Sequence, residues 1–253
     1  MIYEDLKNKR VLVTGSSSGI GQAAAIMFSK QGCFVGVHYF KTKAGAQKTL
    51  ENVKQNSDGI LLCADMRDEK QVTEMVRQFA KAADGIDILV NNAGSLIDRQ
   101  TFEAGSVDYH DDVYATNVRS IFLAVKAALP YLKASRGSIV NIGSVAGHTG
   151  GAKGAGMYAG AKAAVATETI SMAAEFAPYG IRVNSVLPGL IETRFHERFS
   201  TPQRRKEVAE KTPLGRNGTE EDVAKVILFL ASGAAGFITG EYIAVNGGLY
   251  MRA

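Results

Sequence analysis

The chain has 253 residues, of which 46% are hydrophobic and 21% charged. That is ordinary for a globular protein and enough to build a sizeable core. Its 29 Lys and Arg against 25 Asp and Glu leave a formal charge of +4; the charges are scattered without a block of one sign, which argues against a nucleic-acid partner. Cys33 and Cys63 form no CxxC pair and no cluster with histidine, so neither a disulfide framework nor a metal site is expected, and both read as buried thiols beside strands.

The N-terminal MIYEDLKNKR is charged from residue 4 onward and lacks the apolar core of a signal peptide. The longest apolar stretch, 226–237, is too short for a membrane span. The expectation is a cytoplasmic protein without membrane contact. RVLVTG (10–15) predicts a strand and 20–31 the helix after it. Short apolar, β-branched runs recur at 33–39, 59–65, 86–94, 137–144, 181–189 and 241–248. Helical patterns fill 41–56, 68–83, 107–134, 158–177 and 219–231. Strands this short and apolar, alternating with helices, predict an α/β fold with a parallel sheet covered on both faces. No repeat or Pro/Gly linker divides the chain, so residues 1–253 read as a single domain. The charged, poorly patterned stretch 191–218, bracketed by Pro188 and Gly189 and by Gly218, is expected to be a mobile lid over a site.

VTGSSSGIG (13–21) sets Gly15, Gly19 and Gly21 between the first strand and the first helix, with Ser16, Ser17 and Ser18 as added donors. Bare backbone at such a corner lets a pyrophosphate approach the N–H groups of a helix N-terminus. The spacing is GxxxGxG, and no GK[ST] follows, which excludes a nucleoside-triphosphate P-loop. A site selective for NAD places an acid near the end of the second strand. Here that end reads VHYFKTK, with Tyr39 at the acid's position and Lys41 and Lys43 beyond it. NADP is therefore favoured as cofactor, with NAD as the alternative.

MYAGAK (157–162) opens the helix after a Gly-rich loop. Four residues is close to one turn, so Tyr158 and Lys162 project from one face, with only small residues between them. An ammonium near a phenol stabilises phenolate and suits the pair to acid–base work on a carbonyl or alcohol.

Taken with TGSSSGIG (14–21), AD (64–65), NNAG (91–94), TN (116–117), GS (143–144), PG (188–189) and TGEYIAVNGG (239–248), YAGAK makes the chain resemble the short-chain dehydrogenase/reductase family over nearly its whole length. Its nearest likeness is to members of the 3-oxoacyl-carrier-protein reductase type. The resemblance implies a Rossmann-type doubly wound fold with seven parallel strands, and hydride transfer between a nicotinamide and a carbonyl or secondary alcohol. It implies Tyr158 as general acid/base, Lys162 as holder of the nicotinamide ribose, Ser144 on the substrate oxygen and Asn117 holding a water. For the cofactor it implies Gly15, Ser17, Gly19, Ile20 and Gly21 at the pyrophosphate and Asp65 and Met66 at the adenine. Asn91, Ala93 and Gly94 would stand behind the adenosine ribose and Thr193 beside the carboxamide, with Pro188, Gly189 and Ile191 completing the wall. A small-molecule substrate and a homotetramer are likewise implied.

Substrate identity is thinly encoded. The loop 145–156 and the 191–218 segment are expected to line the pocket, and His148 is expected to face solvent. Ala174 stands where such carrier-protein reductases commonly carry an arginine, which weakens the case for docking an acidic carrier. A ketone, sugar, polyol or steroid-like alcohol stays open as substrate. The alternative function is a non-catalytic sensor of the dinucleotide.

Overall fold

A computed structural model describes residues 3–251, leaving 1–2 and 252–253, the tips of MIYEDLKNKR and LYMRA, outside the described residues. The strands are β1 (Arg10–Val13), β2 (Phe34–Tyr39), β3 (Gly59–Cys63), β4 (Ile88–Asn91), β5 (Ser138–Ile142), β6 (Arg182–Pro188) and β7 (Tyr242–Val245). The helices are α1 (Gly19–Ser29), α2 (Lys43–Lys54), α3 (Glu69–Ala83), α4 (Val107–Tyr114), α5 (Ser120–Ser135), α6 (Ala146–Thr149), α7 (Gly156–Phe176), α8 (Arg194–Phe199), α9 (Pro202–Lys211) and α10 (Glu220–Ala231).

All seven strands pair in parallel in one sheet, in the order β3-β2-β1-β4-β5-β6-β7. Side chains on a strand alternate between faces, and the apolar residues of β1 divide accordingly. Val11 and Val13 join a core with Ala24, Ala25 and Phe28 of α1 and Val223 and Ile227 of α10. Leu12 joins the opposite core with Phe79 of α3, Leu132 of α5 and Val165 of α7. Each fully buried Leu or Phe contributes roughly 1.5–3 kcal/mol over its exposed state, so apolar strands with no polar face are what a sheet buried on both sides requires.

The strand order reverses between β1 and β4. The chain winds outward to β3 and returns across β1 to begin the second half, leaving a crevice at the carboxyl ends of the strands where such folds bind ligands.

Three expectations need correction. The predicted helix 107–134 is two helices joined by a π-helical turn at Ala115–Arg119, an inserted residue that turns Asn117 inward. The 191–218 segment is not unpatterned: it folds into α8 and α9, and a parallel bridge between Ile191 and Gly218 ties its two ends together. Cys33 is buried, but Cys63, the last residue of β3, is exposed, because the core face of that strand ends at Leu62.

Candidate active site

The crevice begins at the glycine turn. Gly15 and Gly19 adopt φ of 64° and 60°, backbone that side chains other than glycine's resist. A Cβ on Gly15 would stand 2.9 Å from Ala93 Cα, and one on Gly21 would collide with Asn92 Nδ2 and the Gly15 carbonyl. Bare backbone is what allows the turn to lie against the end of β4. Ser18 caps α1 without a side-chain bond to it, so the first N–H groups of that helix stay free for an anion. Ser16, expected as a further donor, is buried, and its hydroxyl donates to Val13 O at 2.8 Å.

Two residues that the sequence reading passed over hold this turn. His38, buried on β2, accepts the Gly15 N–H at Nδ1 (2.8 Å), and its Nε2 lies 3.1 Å from Ala64 O. With Nδ1 as acceptor the ring is the Nε2–H tautomer, donating to Ala64. It thereby joins the glycine turn to the wall that Asp65 and Met66 form. Burial pushes its pKa down to about 4, which keeps it neutral. Asn92 donates from Nδ2 to the carbonyls of Thr14 and Gly15, both at 2.9 Å. The Thr14 hydroxyl in turn accepts the N–H groups of Asn92 and Ala93, both at 3.0 Å. A polar residue inside the apolar run CFVGVHY was the available signal for His38. For Asn92 it was the second Asn of NNAG.

At the other end of the crevice, Tyr158 and Lys162 share one face of α7, as their spacing requires. The Lys162 ammonium lies 5.8 Å from the Tyr158 ring centroid and donates to Ile142 O at 2.7 Å. Only 4% of Lys162 is exposed, and burial pulls its pKa down to about 8. The Ser144 hydroxyl hydrogen-bonds Tyr158, a contact that favours phenolate, but burial outweighs it and the phenol is pushed up to about 12. The expected lowering of the tyrosine by the lysine is absent here: the ammonium is spent on a backbone carbonyl, and the low-polarity surroundings penalise both charged forms. Ser144 Oγ also accepts the Ala146 N–H at 3.1 Å, which fixes it at the start of α6.

These groups open into one cleft of about 1040 Å³. Gly15, Ser17, Gly19, Ile20, Tyr39, Lys41, Asp65, Met66, Ala93, Gly94, Ser144, Tyr158, Lys162, Pro188, Gly189, Ile191 and Thr193 all line it. Three anticipated residues do not. Gly21 packs beneath the turn. Asn91 points into the sheet, where its Nδ2 donates to Asn141 Oδ1 at 2.9 Å. The Asn117 amide is consumed by backbone: Nδ2 donates to Ser95 O (2.7 Å) and Val113 O (2.9 Å), and Oδ1 accepts the Ser95 N–H (3.1 Å). Its side chain braces the strand-end loop behind Gly94, where an added Cβ would stand 2.8 Å from Asn117 Oδ1 and 3.3 Å from Lys162 Nζ. His148 does not face solvent. Its ring stacks on Tyr242 and Tyr250, with centroids 5.3 and 5.7 Å away, and ties α6 to the C-terminal segment.

At the end of the cleft beside β3, Arg67 binds the Asp65 carboxylate through Nε (3.1 Å to Oδ1) and Nη2 (2.8 Å to Oδ2), and Nη1 reaches Asp112 at 3.1 Å. Those bonds hold the Asp65 carboxyl below its usual range. Lys41 Nζ lies 5.3 Å from the Phe40 ring centroid.

A glycine turn on an uncapped helix, beside a buried lysine and two hydrogen-bonded hydroxyls, fits a dinucleotide with its reactive ring at the hydroxyls. The sequence of the chain agrees. A family model described as Enoyl-(Acyl carrier protein) reductase, of the adh_short_C2 type, matches residues 15–250. The chain belongs to the short-chain dehydrogenase/reductase family. It is thus an oxidoreductase that uses a nicotinamide cofactor. It is 38% identical over 248 residues to the 3-oxoacyl-[acyl-carrier-protein] reductase FabG of Vibrio cholerae, covering 98% of this chain and 99% of that one. To the FabG of Staphylococcus aureus it is 36% identical over 245 residues, 96% and 98% of the two chains. Among solved structures it is similar to the NADH-dependent reductase A1-R' responsible for alginate metabolism, with a TM-score of 0.91 and 34% identity over 99% of this chain and 100% of that one. The complex of that reductase with NAD superposes with a TM-score of 0.88. Among the described residues of this short-chain dehydrogenase/reductase, no helix is long and apolar enough to cross a membrane.

Proposed function

We propose that this protein interconverts a carbonyl and a secondary alcohol, with Tyr158 as the acid/base and NADP(H) as the preferred cofactor. The observation that carries the reading is the convergence of the Ser144 and Tyr158 hydroxyls in the cleft with Lys162 buried one turn behind. The bound nicotinamide supplies or accepts the hydride at the substrate carbon. The protein's own part is at the oxygen. In the reductive direction the two hydroxyls bind the carbonyl oxygen and stabilise the negative charge that grows on it. A phenol pushed up to about 12 is fully protonated at neutral pH, so Tyr158 holds the proton that the alkoxide needs. The phenolate left behind faces the Lys162 ammonium. The ammonium, held on Ile142 O at 2.7 Å, is the cation beside that phenolate, and the Ser144 hydroxyl is the group that hydrogen-bonds it directly. Asn117 serves this site as a brace.

Three features support the choice of NADP: Tyr39 where an acid would repel a 2′-phosphate, Lys41 on the cleft wall, and an Asp65 carboxylate already occupied by Arg67. The similar A1-R' reductase is described as NADH-dependent, so preference is the property to measure. The test is initial rates with NADPH and NADH over a panel of ketones, aldehydes, sugars and 3-oxoacyl thioesters. The expected result is turnover with NADPH favoured at least tenfold, and a Lys41→Glu variant that reverses the ratio. Dinucleotide binding without turnover of any panel member would instead favour the sensor reading.

The 191–218 segment is the lid over this cleft. The unit is read as one domain in the cytoplasm and as a homotetramer. Support for assembly comes from an apolar groove of about 710 Å³ between α5 and α7, flanked by Phe122, which is 57% exposed, and by Met172 and Phe176. A Phe122→Glu variant should lower the mass measured by light scattering; a wild-type monomer would refute the assembly.

A further inference from the structure

The charges that line the cleft are unevenly distributed. Its carboxylates, Asp65 and Asp112, are at the end beside β3 and are both bound by Arg67. Past Ser144 and Tyr158 the wall carries Arg99, Arg194, Arg198 and Arg204 and no acid.

Most of that positive charge is uncompensated. Arg99 donates from Nε to Phe199 O (2.9 Å) and from Nη1 to Lys153 O (3.1 Å). Arg198 donates from Nη2 to Ile97 O at 3.2 Å. These bonds orient the guanidiniums without neutralising them; those to Phe199 O and Ile97 O run in both directions between the 95–100 loop and α8, and the one to Lys153 O holds Arg99 to the loop before α7. Among the described residues, no carboxylate lies within ion-pair range of Arg99, Arg194 or Arg198; Arg204 has Glu207 at 3.6 Å. Two of the nearby acids are engaged elsewhere: Asp98 accepts the Arg99 backbone N–H (2.7 Å), and Glu192 binds Arg205 (2.8 Å) and Asn217 (2.6 Å); the third, Glu197 on α8, is exposed and does not line the cleft. His196, within the same cover, is pushed down to about 4, chiefly by burial and further by the charges of Arg99 and Arg205.

A series of ring contacts connects this positive wall to the reacting hydroxyls. Tyr158 packs on Phe195 (6.0 Å between centroids), Phe195 on Phe199 (5.0 Å), and the Arg198 guanidinium lies 4.8 Å from the Phe199 centroid. A substrate whose carbonyl sits at Tyr158 would run along these rings toward guanidinium forks, those of Arg99 and Arg198 oriented by backbone carbonyls, a geometry that matches carboxylate oxygens.

We propose that the physiological substrate is a keto acid: a small carbonyl compound whose carboxylate is bound by Arg194 and Arg198, with Arg99 completing the positive wall. This rests on the carbonyl-reductase reading above and names its substrate class. The reaction is unchanged in balance, since the keto carbon gains a hydride and its oxygen a proton while the carboxylate takes no part. The arginines select the substrate, and Tyr158 acts on it.

The test compares acetoacetate, 4-oxopentanoate and 5-oxohexanoate with their methyl esters, which differ in charge and little in size. Binding to the NADP-loaded protein is followed by calorimetry and turnover with NADPH by absorbance. At least one acid should bind and turn over tenfold or more better than its ester. In the Arg194→Gln/Arg198→Gln double variant that ratio should fall toward one, with NADP affinity as the check on folding. A ratio near one in the wild type, or a ratio that survives in the double variant, overturns the inference. So does a pair of arginine substitutions that instead weakens turnover of a 3-oxoacyl carrier-protein thioester, which would assign the arginines to protein docking. Tighter binding of an acid with no carbonyl reduced would sustain the carboxylate site while removing the reductase reading, so the two failures are distinguishable.

Discussion

The dinucleotide half of the cleft and its substrate half are built on different principles. In the first, the polar side chains near the site are spent on backbone: Thr14 and Asn92 join the ends of β1 and β4, His38 joins the glycine turn to the β3 end, and Asn117 braces the loop at Gly94. Each is buried or nearly so and leaves the surface to be bound by main-chain N–H groups. In the second half the wall is carried by α8, α9 and the 95–100 loop, and its arginines are exposed. The ends of that cover are fixed by the Ile191–Gly218 bridge and by Glu192 with Arg205 and Asn217, while its middle meets the rest of the protein through Phe195 on Tyr158 and through the Arg99 and Arg198 contacts. A reaction common to many substrates needs invariant geometry, which a sheet edge provides. Choice among substrates needs surface that can change without disturbing the sheet, which a segment hung between two strand-end positions provides.

The sharpest test of that division removes one atom. Tyr158→Phe should cost roughly 10²- to 10⁴-fold in turnover and leave dinucleotide affinity within about twofold, read by rates and fluorescence titration. A loss of both together would mean that the two halves are not separable at the tyrosine. Lys162→Met, the next in size, acts on stability as well as on turnover. The lysine's folded pKa, about 8, lies below its ordinary value of 10.5. Below pH 8 the folded protein therefore carries the cost of a buried ammonium, and the cost is relieved as pH rises from about 8 to 10.5. The variant also strands the Ile142 carbonyl, a penalty that does not depend on pH. Denaturant melts without ligand should thus show the variant's stability relative to wild type falling by about 2–3 kcal/mol between pH 7.5 and 10.5. A difference that stays flat with pH would mean that the ammonium is not buried in solution.

Most of the fold was legible because its elements carry strong local signals. Seven short β-branched runs alternating with helical periods leave few alternatives to a parallel doubly wound sheet. The chemistry was legible where one spacing decides geometry, as for Tyr158 and Lys162. What escaped were properties set by contacts across the sheet. NNAG offers two asparagines, and only the register of β4 against β5 reveals that Asn91 faces Asn141 in the interior while Asn92 faces the glycine turn. Asn117 turns inward because a π-helical residue interrupts a pattern that reads as one long helix. His148 reads as a loop residue until Tyr242 and Tyr250, some hundred positions later, stack on it. The arginine wall escaped for a related reason: Arg194, Arg198 and Arg204 sit in the one charged stretch 191–218, but that they face the cleft and meet Arg99, some hundred positions earlier, is visible only in the fold.

The smallest expected effect probes His38, the residue on which the rigidity of the dinucleotide half rests. Its folded pKa of about 4 lies below the ordinary 6.5, so on acidification the unfolded chain takes up the proton first. The stability given by the neutral ring is complete above pH 6.5 and drains away as pH falls toward 4; His196, also near 4, adds to the same window. In His38→Asn the amide oxygen can still accept from Gly15, without a proton to gain, while the shorter side chain stops short of Ala64. That variant should keep NADP affinity within about threefold and lose about 2 kcal/mol less stability than wild type between pH 7 and 4.5. His38→Leu leaves the Gly15 N–H and the Ala64 carbonyl unpaired, and should weaken NADP binding about tenfold, in keeping with a lost buried hydrogen bond. If Leu bound the dinucleotide as well as Asn does, the turn would hold its shape without the histidine, and the rigidity of this half would have to come from Thr14 and Asn92 alone.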